Sequence, residues 1–132
     1  MSKITSVHTS ISEEKYHSKI AAGAHVLIAD EPANEGGADL GPTPIQLLAG
    51  SLGSCTTITL RMYADRKGWP LQGADVDVTI DRTTTQASIQ RKIRLHGPLD
   101  ETQRARLMQV ADACPVHKML SAAIAITTVE QF

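Results

Sequence analysis

"PIQLLAGSLGSCTTITLRMYADRK", Pro44 to Lys67, is the stretch on which the fold turns. Thr43 just before it is an N-cap residue type, Pro44 suits a first helical turn, and Gly68 just after it is a helix terminator, so the punctuation predicts one long helix. Ile45, Ala49, Leu52, Thr56, Leu60 and Tyr63 recur at steps of three and four, and so do Leu48, Leu52, Cys55, Thr59 and Met62. Two largely apolar stripes imply a helix covered by protein over most of its circumference. Gly50 and Gly53 each cost about 1 kcal/mol relative to Ala in a helix interior, so they ask for a compensating contact. With Ser54 and Thr57 they form a small-residue face that a second helix could approach closely. No charge appears between Asp39 and Arg61, which approaches the length of a membrane span. Pro42, Pro44, Gln46 and the many Gly, Ser and Thr residues make it a poor one, and a buried helix explains it better.

On the N-terminal side, "ITSVHTSIS" and "YHSKIAAGAHVLIAD" alternate β-branched and polar residues, with a break at Ala22-Gly23. They predict two or three strands joined by hairpins. "DEPANEGGADLGPTP", Asp30 to Pro44, concentrates Gly, Pro, Asn and Asp and reads as a loop. On the C-terminal side, "ADVDVTID" and "SIQRKIRLHG" form an antiparallel hairpin, with Val76, Val78 and Ile80 on one strand and Ile89, Ile93 and Leu95 on the other facing inward. Asp100 caps an amphipathic helix that carries Leu107, Val110 and Ala111 and ends near Cys114. Pro115 opens a shorter helix, "PVHKMLSAA", and "IAITTVEQF" reads as a closing strand. The order β-β-(β)-α-β-β-α-α-β describes one α+β domain, which suits 132 residues.

Composition narrows the function. The net charge is −1 and only 3% of residues are aromatic, so neither electrostatics nor base stacking argues for nucleic acid, and nothing argues for a membrane surface. The opening "MSKITSVHTS" lacks an apolar h-region, and the expected compartment is the cytosol. In a reducing compartment two cysteines point to redox chemistry or metal before a structural disulfide. Cys114 precedes "PVHK" at a helix start, where free N–H groups and the nearby His117 and Lys118 favour a thiolate. Cys55 lies mid-helix, where only hydroxyls neighbour it. From the residues alone three readings stand: two buried small hydrophobes, a redox pair, or a metal site using Cys55, Cys114, His117 and one of His8, His17, His25 or His96.

"GPTPIQLLAGSLGSCTTITLRMYADRKGW" and "GPLDETQRARLMQVADACPVHKML", in that order and with strands before, between and after, resemble the OsmC/Ohr family of thiol peroxidases over nearly the whole chain. Both cysteines fall where that family carries them, one in the long helix after a "GPxP" loop and one in "CPVH". The resemblance implies an antiparallel sheet wrapped around the long central helix, in an intertwined homodimer whose two central helices pack together. It also implies an organic hydroperoxide reductase needing no bound cofactor: Cys55 attacks the peroxide, Cys114 resolves the sulfenic acid to a disulfide, and a cellular dithiol reduces it. The family's reacting thiolate is held by an arginine from the N-terminal strands and a glutamate early in the helix. Here the glutamate position is Ile45 and no arginine precedes Arg61, so this chain resembles a branch without that pair. Candidate substitutes are Lys15, His17, Lys19, His25, Asp30 and Glu31 from the N-terminal third, and His117. Rival readings from other classes are a binding module for a small apolar or electrophilic ligand and a Cys/His metal protein.

Overall fold

The computed structural model describes residues 3–132. They fall into two compact units, one ending at Leu48 and the other running from Ala49 to Phe132, and the order of elements is α+β with antiparallel pairing throughout.

In the first unit β1 (His8–Ser10), β2 (Ser18–Ala22) and β3 (His25–Ala29) form a three-stranded meander. Gly23 takes φ +61° at the β2–β3 turn, which explains the break seen in the sequence. The loop that follows is organised by Asp30. This carboxylate is 1% exposed, and it accepts the Glu31 N–H at 2.7 Å and the Leu40 N–H at 3.0 Å. The Asp30 N–H donates to the Pro42 carbonyl at 3.1 Å, and that of Asp39 donates to Glu31 at 3.1 Å. The chain closes so tightly that a Cβ on Gly37 would collide with the Glu31 carbonyl, and one on Gly41 with that of Ile28. The glycines of this loop therefore serve close backbone approach. The loop delivers Thr43 to the start of α1 (Pro44–Lys67), where the Gln46 N–H donates to the Thr43 hydroxyl and the Gln46 side chain accepts the Thr43 N–H. This reciprocal cap is a capping box.

In the second unit α1 ends at Gly68, with φ +68°, and Arg61 reaches past the end to donate to the Leu71 carbonyl at 2.7 Å. β4 (Gly73–Asp81) and β5 (Ser88–His96) form the expected hairpin, in the register Val76↔Ile93, Val78↔Arg91 and Ile80↔Ile89. α2 (Glu101–Ala111) starts in a capping box of Asp100 and Gln103, and α3 (Pro115–Leu120) starts at Cys114. Leu60, Ala64, Leu71, Leu99, Leu107, Val110 and Ala111 make the core, with Tyr63, Trp69, Ile93 and Leu95 packed against it.

Three sequence expectations change. α1 is not buried all round: Leu52, Thr56, Leu60 and Ala64, at steps of four, are its buried residues, while Gly50, Ser54, Ile58 and Met62 form an equally regular exposed stripe. Gly53 meets a strand and not a helix, since a Cβ there would lie 3.6 Å from the Val78 side chain, whereas Gly50 faces open space. The segment expected as a closing strand has no regular structure, and Ile126, Val129 and Phe132 are 85%, 87% and 109% exposed. Alternating β-branched residues make a strand only where an edge is there to pair with, and among the described residues this segment pairs with none.

Leu107 is fully buried, so Leu107→Ala is expected to cost about 2–5 kcal/mol through lost burial plus a cavity, read as a lowered denaturant midpoint. Asp30 gives a pH signature. The Leu40 N–H, with those of Glu31 and Ala38 and the charge of His17, holds its carboxyl below the ordinary range against burial, which pushes it up. A depressed folded pKa contributes stability that is present above the unfolded value of about 3.9 and is lost as the pH falls through the folded one. Protection of the amides in residues 31–42, taken relative to intrinsic exchange at the same pH, is therefore expected to fall in acid below about pH 4, and in Asp30→Asn to be low already at neutral pH. Unchanged protection in the variant would remove Asp30 from this role.

Candidate functional site

Cys55 and Cys114 come together in the second unit. α1 presents Cys55 next to its buried stripe, and the turn between α2 and α3 presents Cys114. Both are free thiols, Cys114 wholly buried and Cys55 partly exposed. The two sulfurs lie close enough to shift each other's acidity. Cys114 is also the N-cap of α3, and its sulfur accepts the His117 N–H at 3.4 Å. The expected activation at a helix start is therefore present, but His117 supplies it through its backbone. Its ring lies 3.8 Å from the Asp112 carboxylate.

The two thiols are driven apart in acidity. Burial, reinforced by the neighbouring Cys114, pushes the Cys55 thiol up, and the Val116 N–H and Thr59 hydroxyl do not offset it. Burial pushes Cys114 up as well, but the neighbouring Cys55 thiol, the His117 and Val116 N–H groups and the Thr56 hydroxyl outweigh it and hold that thiol below its ordinary range. A charge shared by the pair therefore rests on Cys114.

Sequence reasoning missed Arg91. Its side chain is 11% exposed, and its guanidinium donates to the Thr56 hydroxyl oxygen at 3.0 Å, the Ala111 carbonyl at 3.1 Å and Asp112 Oδ1 at 2.8 Å. The signal was in the alternation: Ile89, Arg91, Ile93 and Leu95 share one face of β5, so an arginine occupies a register position that otherwise holds apolar residues. Arg91 and His117 also border a cleft of ≈ 420 Å³ whose other walls are Leu52, Ala87, Ile89, Leu120 and Ser121. Its lining is mixed, with Leu52, Ile89 and Leu120 on the apolar side and Arg91, His117 and Ser121 on the polar side.

The N-terminal candidates belong to the first unit. Lys15 and His25 are exposed, and His17 lies 3.8 Å from Glu14. Both Asp30 oxygens are occupied by loop N–H groups, which leaves this carboxylate a structural task. Of the metal candidates, His96 pairs with Asp75 at 2.6 Å. Among the described residues no group of three or more His, Cys, Asp or Glu side chains is placed to hold a metal ion. No helix among them is long and apolar enough to cross a membrane.

A family model described as OsmC-like protein matches residues 36–129. Among solved structures, an OsmC-like protein from Mycoplasma pneumoniae is similar with a TM-score of 0.79 at 20% identity, over 92% of this chain and 89% of that one. An organic hydroperoxide resistance protein from Legionella pneumophila is similar with a TM-score of 0.65 at 17% identity, over 90% and 91%. One from Elizabethkingia anophelis reaches 0.64 at 15%, over 90% of each chain. At such identities these likenesses speak to the fold. No curated protein matches the sequence.

Proposed function

The chain belongs to the OsmC-like family, and from that premise we propose that it is a thiol-dependent peroxidase for organic hydroperoxides, cycling Cys55 and Cys114 between dithiol and disulfide in the cytosol. The observation that carries this reading is the close pair of free thiols, one partly exposed and the other buried at a helix start, near enough to shift each other's acidity.

The attacking thiolate is Cys55, because a peroxide can reach it. Its sulfur takes the distal peroxide oxygen, the O–O bond breaks, and the alkoxide leaves with a proton as the alcohol. Cys55 is then a sulfenic acid. Cys114, whose environment already favours the thiolate, attacks that sulfur, and hydroxide leaves as water with the formation of the disulfide. A dithiol reductant supplies two electrons and two protons to restore the pair and becomes a disulfide itself. The same acidity order makes the first step the slow one at neutral pH. Cys55 must lose a proton from a thiol whose pKa is raised, while resolution starts from a sulfur that is charged more readily.

Assembly as a homodimer is part of the proposal. Ile58 and Met62 are each 51% exposed on the α1 stripe that begins at Gly50 and Ser54, a surface suited to a second copy of the same helix. The C-terminal segment, which pairs with no strand among the described residues, has the β-branched composition to add to an edge of a second copy.

Intact mass after a modest dose of organic hydroperoxide is expected to show the loss of two hydrogens. Cys114→Ser should instead gain oxygen on Cys55, and Cys55→Ser should leave the peroxide unconsumed. The initial rate should rise with pH through the ordinary thiol range near 8.5 and beyond it, because deprotonation of a raised Cys55 limits it. An unchanged mass favours the ligand-binding module, and a fast rate that is flat down to about pH 6 rules out the acidity order. Hydrogen peroxide should be a poorer substrate, since it brings no apolar group to bury against Leu52, Ile89 and Leu120.

Ile58→Glu combined with Met62→Glu should turn a dimer into a monomer in sedimentation, at little cost to the core because both positions are exposed. A double variant that sediments like the parent removes this stripe as the interface.

A further inference from the structure

A disulfide closes only when its two cysteines meet within a narrow range of distance and direction, with Cα atoms about 4.4–6.8 Å apart. Cys55 lies within α1 and Cys114 at the start of α3, so that range is set by how the two elements are held against each other. We propose that Arg91 is a positioning residue of the dithiol: it ties the turn that carries Cys114 to the turn of α1 that carries Cys55, and so holds the thiols where a disulfide can close.

The tie runs through a single nitrogen. Arg91 Nη1 donates to Thr56 Oγ1 at 3.0 Å and to the Ala111 carbonyl at 3.1 Å. Thr56 follows Cys55 in the chain, and its hydroxyl donates to the Leu52 carbonyl at 2.7 Å, which fixes that oxygen to the backbone of α1. The Ala111 carbonyl ends α2 and also accepts the Cys114 N–H at 3.3 Å. Each cysteine is therefore one residue, or one hydrogen bond, from an atom that the same nitrogen holds. Nη2 donates to the Asp112 carboxylate at 2.8 Å and adds a second hold on the turn.

The base of this fork is firm. Arg91 stands opposite Val78 in the register of the β4–β5 hairpin, and its side chain is 11% exposed. A planar guanidinium serves several acceptors in fixed directions, whereas an ammonium is a point donor on a flexible stem. Packing does not require a charge between Ile89 and Ile93, so the strand keeps a group that is costly to bury where an apolar one would fit.

Position and charge act with opposite signs on the thiol pair. A cation near a thiolate stabilises the reduced form and makes the disulfide easier to reduce, whereas a clamp that holds two thiols together favours the disulfide. Loss of Arg91 shifts the balance toward the dithiol if the residue positions, and toward the disulfide if it acts by charge. The inference rests on the dithiol pairing proposed above, and its test uses no peroxide.

The full chain is equilibrated at neutral pH in mixtures of reduced and oxidised glutathione, quenched by alkylation and weighed intact. Glutathione disulfide takes two electrons and two protons from Cys55 and Cys114: their S–S bond forms, that of glutathione breaks, and two glutathione thiols are released. Arg91→Met is expected to lower the equilibrium constant for this exchange about tenfold. Thr56→Val removes one acceptor and no charge and should lower it by less, and Arg91→Lys should restore it only in part. A merely structural Arg91 lowers the melting temperature of reduced and oxidised protein alike and leaves the constant unchanged, which overturns the proposal. A constant that rises overturns it too. If Arg91→Met fails to fold, parental constants in both Thr56→Val and Arg91→Lys overturn it, and lowered ones support it. Parent protein that closes the disulfide with glutathione but leaves organic hydroperoxide unconsumed removes the peroxidase reading and keeps the clamp. Parent protein that closes no disulfide in any of the mixtures overturns both.

Discussion

The Arg91 fork is the interaction on which the arrangement of the thiol site depends. Helix α1, strand β5 and the α2–α3 turn are far apart in sequence, and each contributes one face of the dithiol. Apolar packing of Leu60, Leu107 and Val110 brings α1 and α2 together, but packing is non-directional and does not set the height of one helix along another. Hydrogen bonds from one rigid guanidinium to Thr56 and Ala111 do set it. They align the turn that holds Cys114 with the turn of α1 that holds Cys55, and a buried arginine is tolerated there because its charge is met by Asp112 and by two further acceptors.

Once the sulfurs are in register, their divergence follows from ordinary electrostatics. Both are withdrawn from water, which alone would raise both. Cys114 sits where N–H groups of a helix start point at it, and Cys55 sits mid-helix where every N–H is already committed to a carbonyl four residues back. Polar groups reach both sulfurs, but those around Cys114 outweigh its burial and those around Cys55 do not. A thiol pair in the same cavity is thereby sorted into a better and a poorer anion without a cation in direct contact with either. Under the proposed dithiol cycle, that order would favour disulfide formation over further oxidation of the sulfenic acid, at the cost of a slower first attack.

Much of this was legible in the sequence because local chemistry decided it. Thr43, Pro44 and Gly68 bracket α1 where the punctuation put them, Asp100 caps α2, and Cys114 opens α3. Apolar alternation located β4 and β5. What was not legible depends on partners distant in the chain. Arg91 looked like one more basic residue in "QRKIR", and only counting register from Ile89 and Ile93 would have shown that it points with them. Asp30 stood among the candidates to replace the missing arginine–glutamate pair and is a loop anchor, since its partners are backbone N–H groups that no residue type announces. Gly53 looked like half of a helix–helix contact, but the group it meets is Val78, on a strand that the helix sequence says nothing about.

The C-terminal segment shows the same limit from the other side. "IAITTVEQF" has the composition of a strand, and composition is a statement about what a segment can pair with. Within the described residues it has no partner, so strand-like residues such as Ile126 and Val129 stand in the open. Exposed β-branched residues without an edge, and a helix stripe of Gly50, Ser54, Ile58 and Met62 without a cover, are two deficits of the isolated chain. Each has the chemistry that a second copy would complete, one through backbone hydrogen bonds and the other through side-chain burial. The groups that tune the thiol pair from its own chain lie in residues 55–117, and none of them belongs to the exposed stripe or to the C-terminal segment. If those groups suffice, a monomeric variant keeps the acidity order of Cys55 and Cys114; an order lost on dissociation shows that a second copy contributes to it.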